Sequence, residues 1–188
     1  MELNNNYFIL RHGKALSNHN RTVSSWPEKF DNPLTEKGQE QIRALISQLE
    51  KEKIDLIFSS DLLRTKQTAE IIAKALEIEV KFDQRLREIS FGIFNGEQEN
   101  DWNNFYKCGE ERFVKRPENG GENYNDVRRR TEDFIKEIDE EYKNKNILII
   151  SHGCVLFSLQ AFINGYDEEQ EMVHRNELIL KTGELRKL

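Results

Sequence analysis

The 188 residues include only two cysteines, three prolines and two tryptophans, with no long apolar run and no excess of positive charge. Each shortage removes a class. Cys108 and Cys154 lie far apart and form no C-x-x-C, so no zinc pattern is present, and two solitary thiols fit a reducing cytoplasm. No stretch approaches the ~20 apolar residues that a membrane span needs. Residues 1–10 carry acidic Glu2 and a run of asparagines in place of a basic leader region, so no secretory signal is expected. Asn20-Arg21-Thr22 spells a glycosylation sequon, which without such a signal is coincidental. A net charge of −6 argues against a nucleic-acid partner, because that binding needs a broad basic surface. An anionic small molecule is still allowed, provided the positive charge is focused at a few arginines.

What is present suits one domain with a sizeable core: 37% of residues are hydrophobic and 33% charged. Three short apolar runs, Tyr7 to Leu10, Ile54 to Phe58 and Ile147 to Ile150, read as buried strands. A polar loop over 14–33 follows the first and ends at Asn32-Pro33. Thr35 is then predicted to cap a helix with an apolar stripe of Ile42, Leu45, Ile46 and Leu49. Asp61 is predicted to cap another, with Ala69, Ile72, Ala73 and Leu76 facing inward. Ile78, Val80 and Phe82 alternate with Glu79 and Lys81, as in a strand with one exposed face. A helix is expected over 126–143, with Val127, Thr131, Phe134, Ile138 and Tyr142 on one face. A buried helix over 154–163 and a last strand over 177–181 complete the pattern. Alternating strands and helices predict a single α/β domain over 1–188, with a mostly parallel central sheet flanked by helices.

Residues 90–124 break that rhythm. They hold five of the ten glycines and the aromatics Phe91, Phe94, Trp102, Phe105, Tyr106 and Phe113, with Trp102, Phe105 and Tyr106 suited to one short helix. An irregular excursion of this length is expected to be a lid over the carboxyl ends of the strands.

Two of the apolar runs end alike, in Arg11-His12-Gly13 and Ser151-His152-Gly153, and the third runs into Ser59-Ser60-Asp61-Leu62-Leu63-Arg64. Ligands of open α/β sheets bind outside the carboxyl ends of the strands. Adjacent parallel strands would therefore bring two imidazoles and two guanidiniums to one point. Phosphoryl transfer to a side chain needs an in-line nucleophile, cationic donors and an acid for the leaving group. His12, with a reference pKa near ~6.5, supplies a largely neutral nitrogen nucleophile. Arg11 and Arg64 offer planar donor forks that match phosphate, and Arg64 falls in the first turn of its helix. His152 can donate to the transferring group, and Gly13 and Gly153 let a phosphate approach the backbone closely.

Arg11-His12-Gly13, Asn32-Pro33-Leu34-Thr35-Glu36-Lys37-Gly38, Ser59 through Ala69, and Ser151-His152-Gly153 occur in this order over nearly the whole chain. The set resembles the histidine phosphatase superfamily, which includes the cofactor-dependent phosphoglycerate mutases. The resemblance implies that His12 becomes a phosphohistidine and that Arg11, Arg64, His152 and Asn18 hold the phosphate. Glu88, in Leu86-Arg87-Glu88-Ile89-Ser90-Phe91-Gly92, matches the carboxyl that protonates the leaving oxygen and later activates water. That role requires a carboxyl that keeps its proton above the ordinary ~4.3, which the apolar neighbours Ile89 and Phe91 would favour. Asp83 and Glu97 are competing acids.

Mutases of this family carry Glu-Arg-His-Tyr-Gly where this chain has Glu88-Ile89-Ser90-Phe91-Gly92, so a cation and a hydroxyl are missing. The chain also lacks room for their larger substrate-covering insertion. Both departures favour hydrolysis. The expectation is a metal-independent, cofactor-free phosphomonoesterase of small phosphorylated metabolites. The alternatives are a phosphoglycerate mutase, a phosphohistidine protein phosphatase and a non-catalytic phospholigand sensor. Lys14 stands where the family has Glu and adds a cation beside the expected pocket. Ser24 falls near a mutase substrate contact, and Lys107, Arg112, Lys115 and Arg116 in the lid could meet a second anionic group. Arg128-Arg129-Arg130 reads as a solvated helix face, and His19 and His174 have no partner at metal spacing.

Overall fold

Register is what makes this sheet useful. In the computed structural model, which describes residues 3–188 and so leaves Glu2 outside, five strands lie in the order β3-β2-β4-β1-β5. These are β1 (Asn6–Arg11), β2 (Leu56–Ser59), β3 (Val80–Phe82), β4 (Asn146–Ser151) and β5 (Leu185–Lys187). The first four are mutually parallel, and β5 runs antiparallel to β1. Arg11 sits opposite Ser151, and Ser59 opposite Ile150. β1 and β4 therefore end level and release His12 and His152 together, while β2 ends one residue earlier and releases Ser60.

Side chains alternate between the faces of a strand, and here both faces are covered. Tyr7, Ile9, Phe58, Ile147 and Ile149 join one core cluster, while Phe8, Leu10, Ile57, Leu148 and Ile150 join the other. The helices in chain order are α1 (Leu16–Asn20), α2 (Glu36–Arg43), α3 (Ile46–Glu52), α4 (Leu63–Leu76), α5 (Glu99–Asn104), α6 (Glu111–Val114), α7 (Tyr124–Glu141), α8 (Gly153–Ile163), α9 (Glu168–Val173) and α10 (Arg175–Leu178). Helices α7 and α8 cover the first face, and α2 to α4 the second.

The polar stretch after β1 contains the short helix α1. Thr35 caps α2 as expected, its hydroxyl accepting from the Gly38 N–H at 3.1 Å. The stripe from Ile42 to Leu49 spans two helices, because the chain turns at Ala44 and Leu45. Ile42 and Leu49 are buried, Leu45 and Ile46 only partly. Asp61 does not cap α4. It holds the Arg87 guanidinium at 2.5 and 2.6 Å instead, and Glu28 accepts from the Leu63 N–H in the helix's first turn at 3.3 Å. β3 is an edge strand with Phe82 half exposed, and Ile78 lies before it. α7 begins two residues before 126 because Asn123 and Asp126 form a reciprocal cap.

The last strand falls elsewhere than predicted. Leu178 and Leu180 are buried beside exposed neighbours, which imitates strand alternation, but Arg175–Leu178 is helical. Gly183 turns the chain with φ 72°, and Leu185–Lys187 then pairs with β1. The Arg128-Arg129-Arg130 run is not uniformly solvated either. Arg128 reaches buried Glu171 at 2.8 Å and Arg130 holds Glu122 at 2.9 and 3.0 Å, leaving only Arg129 mostly exposed.

Residues 90–124 fold over the carboxyl edge as short helices joined by an aromatic chain. Phe91 meets Trp102 edge-on at 4.9 Å, Trp102 meets Tyr106 at 5.8 Å, and Phe113 meets Tyr124 at 5.4 Å. Of the three aromatics expected in one helix, only Trp102 lies inside α5. Gly92, at φ 56°, lies where a Cβ would come within 2.1 Å of the Glu118 carbonyl, so only glycine fits.

The far end of the sheet is tied by Asp139 on α7. Its carboxylate accepts from the Tyr7 hydroxyl at 2.9 Å, the Asn4 N–H at 3.0 Å and Asn5 Nδ2 at 3.1 Å. Burial opposes its charge, but these donors outweigh burial and hold its pKa below 3.8. Asp139→Ala leaves several buried donors unpaired and is expected to cost about 3 kcal/mol in urea unfolding. Since the folded-state pKa is lowered, this contribution is complete above pH 3.8 and is lost as pH falls through the lowered value. The alanine variant should therefore show a flatter stability profile at acid pH than the parent.

Candidate active site

His12 is 2% exposed, and its ring is fixed by its own neighbour: Nδ1 lies 2.8 Å from the Gly13 carbonyl. A carbonyl can only accept, so Nδ1 carries the proton and Nε2 keeps its lone pair. The Arg64 Nε–H donates to that Nε2 at 3.3 Å. Burial pushes the His12 pKa well below 6.5, and the Arg64 and Arg11 charges push it further. The result is a neutral imidazole between cations. Gly13 is required by packing, since a Cβ there would lie 2.5 Å from the Gly38 carbonyl oxygen.

Arg64 has its whole fork engaged. Besides Nε on His12, Nη1 donates to Glu28 Oε1 and Nη2 to the Ser24 carbonyl, each at 2.9 Å. The second residue of α4 is thus locked in place by the loop before α2. Arg11 donates through Nη1 to the Leu180 carbonyl at 2.8 Å, while its buried Nε has no hydrogen-bond partner among the described residues. Gly153 leaves space for this guanidinium, because a Cβ there would come within 3.3 Å of Arg11 Cζ.

His152 packs edge-on against His12 with ring centres 5.2 Å apart, and its Nε2 lies 2.9 Å from Ser60 Oγ. Its Nδ1 is buried without a hydrogen-bond partner among the described residues. Burial, followed by the charge of Arg64, lowers its pKa well below 6.5. Glu88 Oε1 accepts from the N–H groups of Ile89 at 3.0 Å and Cys154 at 3.3 Å. Asn18 Oδ1 is taken by the Ala15 N–H at 2.9 Å, which commits its oxygen and leaves its amide donors available.

Arg11, His12, Asn18, Ser24, Arg64, Glu88 and Gly153 all line one cavity of about 890 Å³. His152 and Gly13 stand just behind its wall. Of the three candidate acids, Glu88 alone reaches the cavity; Asp83 is held by Arg85 at 2.6 Å. Among the lid cations only Arg112 lines it. Lys115 donates to the Phe105 carbonyl and Arg116 pairs with Asp126, while Lys14 and Lys107 lie outside the wall. His19 is exposed, and His174 stacks on Tyr166 at 4.8 Å.

Sequence reasoning missed Arg175, Lys181 and Arg21 on the wall and Glu28 behind Arg64. The expected strand over 177–181 concealed Lys181. Nothing local marks Glu28, whose partner is 36 residues away. Chemically, the arrangement offers a nitrogen lone pair, guanidinium donors for a tetrahedral anion and a carboxyl on the same void.

The sequence profile of the histidine phosphatase superfamily (branch 1) matches residues 7–178. Phosphoserine phosphatase 1 of Hydrogenobacter thermophilus is 29% identical over 163 residues, covering 85% of this chain and 76% of that protein. A Salmonella arizonae protein named "Probable phosphoglycerate mutase GpmB" is 31% identical over 162 residues, covering 84% of this chain and 74% of its own. Among solved structures, the alpha-ribazole phosphatase of Shigella flexneri superposes with a TM-score of 0.81 at 25% identity, over 97% of this chain and 89% of that one. The chain is an enzyme of the histidine phosphatase superfamily, branch 1.

Proposed function

We propose that this enzyme hydrolyses phosphomonoesters of small metabolites through a phosphohistidine on His12, with Glu88 as general acid and base and no metal. The observation that carries this reading is the tautomer of His12. The Gly13 carbonyl holds the proton on Nδ1, so Nε2 keeps the lone pair that attack requires, and in the resting site that pair accepts from Arg64 Nε. In the first step Nε2 attacks phosphorus, the P–O ester bond breaks, and Glu88 gives its proton to the leaving oxygen. In the second, water attacks phosphorus while Glu88 takes a proton from it. The P–N bond breaks, its electrons return to Nε2, and inorganic phosphate leaves. Arg11 and Arg64 neutralise the transferring oxygens, and Asn18 supplies an amide donor. Ser60 donating to His152 Nε2 would leave the Nδ1 of His152 protonated and able to donate to the same group.

Hydrolysis is favoured over mutase chemistry by the residues after Glu88. Ile89 is fully buried, and the Ser90 N–H is used by Glu122 at 2.8 Å, so no cation stands there for a carboxylated intermediate. The roof of short helices over the cavity favours small substrates over a docked phosphoprotein. The likeness to a protein named as a phosphoglycerate mutase keeps isomerisation as the second reading. Interconversion of 3- and 2-phosphoglycerate primed by the bisphosphate, rather than release of free phosphate, would select it. The two free thiols, Cys108 and Cys154, and the lack of any helix among the described residues long and apolar enough to cross a membrane suit a cytoplasmic enzyme.

His12→Ala should reduce hydrolysis of p-nitrophenyl phosphate by at least about 1,000-fold, with EDTA leaving the parent unchanged. Activity surviving this substitution would remove the mechanism. Glu88→Gln should slow an alkyl phosphate by about 100-fold but p-nitrophenyl phosphate far less, because nitrophenolate leaves without needing a proton. Imidazole NMR should find His12 and His152 still neutral as pH falls through 6.5. Only the unfolded chain then takes up those protons, so these two residues lower stability progressively below pH 6.5.

A further inference from the structure

The carboxyl on the cavity wall is preceded in the chain by a cation that lies outside it, and two side chains grip that cation. Arg87 Nε and Nη2 donate to the two oxygens of Asp61 at 2.6 and 2.5 Å. A bidentate pair of this kind fixes direction as well as distance. The Arg87 guanidinium carbon also lies 4.3 Å from the Trp26 ring centre. Trp26 is 55% exposed, so it is held there by this contact rather than by the core. The bond from Arg87 is the largest influence on the Asp61 carboxyl and keeps its pKa below 3.8, so the pair is ionised at neutral pH.

Both partners of Arg87 belong to segments that also build the phosphate cradle. Asp61 follows Ser60, whose Oγ lies 2.9 Å from His152 Nε2, and stands three residues before Arg64. Trp26 lies in the loop between Ser24 and Glu28, the two residues that accept from the Arg64 Nη atoms. Arg87 itself has extended backbone, with φ −62° and ψ 150°. Successive side chains of an extended chain point to opposite sides, so drawing Arg87 to Asp61 turns Glu88 toward the cavity. Leu86 and Ile89 are fully buried on either side of these two residues. Hydrophobic burial is non-directional, so it sets the depth of the segment but not its rotation.

We propose that Arg87 is a positioning residue for Glu88, which, gripped by Asp61 and Trp26, it sets in register with the arginine cradle for the scissile phosphate. This rests on the assignment of Glu88 as general acid made above. Arg87 touches neither the phosphate nor the leaving group. Proton transfer demands hydrogen-bond reach between acid and leaving oxygen, and a displacement of about 1 Å is enough to slow it severely.

The test compares an alkyl phosphate, whose leaving oxygen needs a proton, with p-nitrophenyl phosphate, whose leaving oxygen does not. In Arg87→Met, kcat/KM for the alkyl ester, which reports phosphate transfer to His12, should fall about tenfold and that for the nitrophenyl ester far less. Competitive inhibition by inorganic phosphate should persist, which reports an intact fold and cradle. Asp61→Asn, almost the same shape as the parent, should repeat the split, and Arg87→Lys should recover part of it. Because Arg87 acts through Glu88, adding Arg87→Met to Glu88→Gln should deepen the alkyl loss by no more than about twofold. Equal losses on the two esters, no loss in either single variant, or full additivity with Glu88→Gln overturns the positioning role alone. A Glu88→Gln enzyme with the parent's preference between the two esters overturns the assignment of the acid, and the role of Arg87 with it.

Discussion

Everything at the candidate active site depends on three parallel strands stopping within one residue of the same height. A one-residue slip of β1 against β4 would exchange the faces of the sheet and carry His12 away from His152. The slip is opposed from both sides, because Phe8 and Leu10 belong to one core and Tyr7 and Ile9 to the other. The Asp139 cluster pins the opposite end of β1 to α7. Chemistry at the carboxyl edge is therefore supported by hydrophobic order within the sheet and by a polar knot at its base.

On that support the chain keeps two imidazoles neutral by removing water from them. Buried imidazoles next to guanidiniums do not protonate readily, and the Gly13 carbonyl decides which nitrogen remains basic. The same burial would make Arg64 intolerable without partners. It receives three: a ring nitrogen, a backbone carbonyl and the Glu28 carboxylate. Rigidity at this position comes from hydrogen bonds that span three separate segments of chain.

The sequence exposed the sheet and the residues at its edge because both are local signals. Apolar runs ending in His-Gly mark strand and turn together, and the motifs around Arg11, Arg64 and His152 stand in fixed order. Partnerships across long separations were not legible. Asp61 looked like a cap because residue type and position suited it, yet Arg87 claims it and Glu28 covers the helix end. Arg128 and Arg130 looked solvated because neither Glu171 nor Glu122 is marked as a partner by periodicity. Alternation at Leu178 and Leu180 suggested a strand where a short helix and an extended tail share the burial.

Glu28 has one more consequence. An enzyme that liberates inorganic phosphate is slowed by whatever retains it, and a guanidinium is a strong retainer. One of the three Arg64 donors, Nη1, is already committed to a carboxylate, which would compete with a bound anion for it. The loop that fixes Arg64 would thereby also temper its hold on a bound anion.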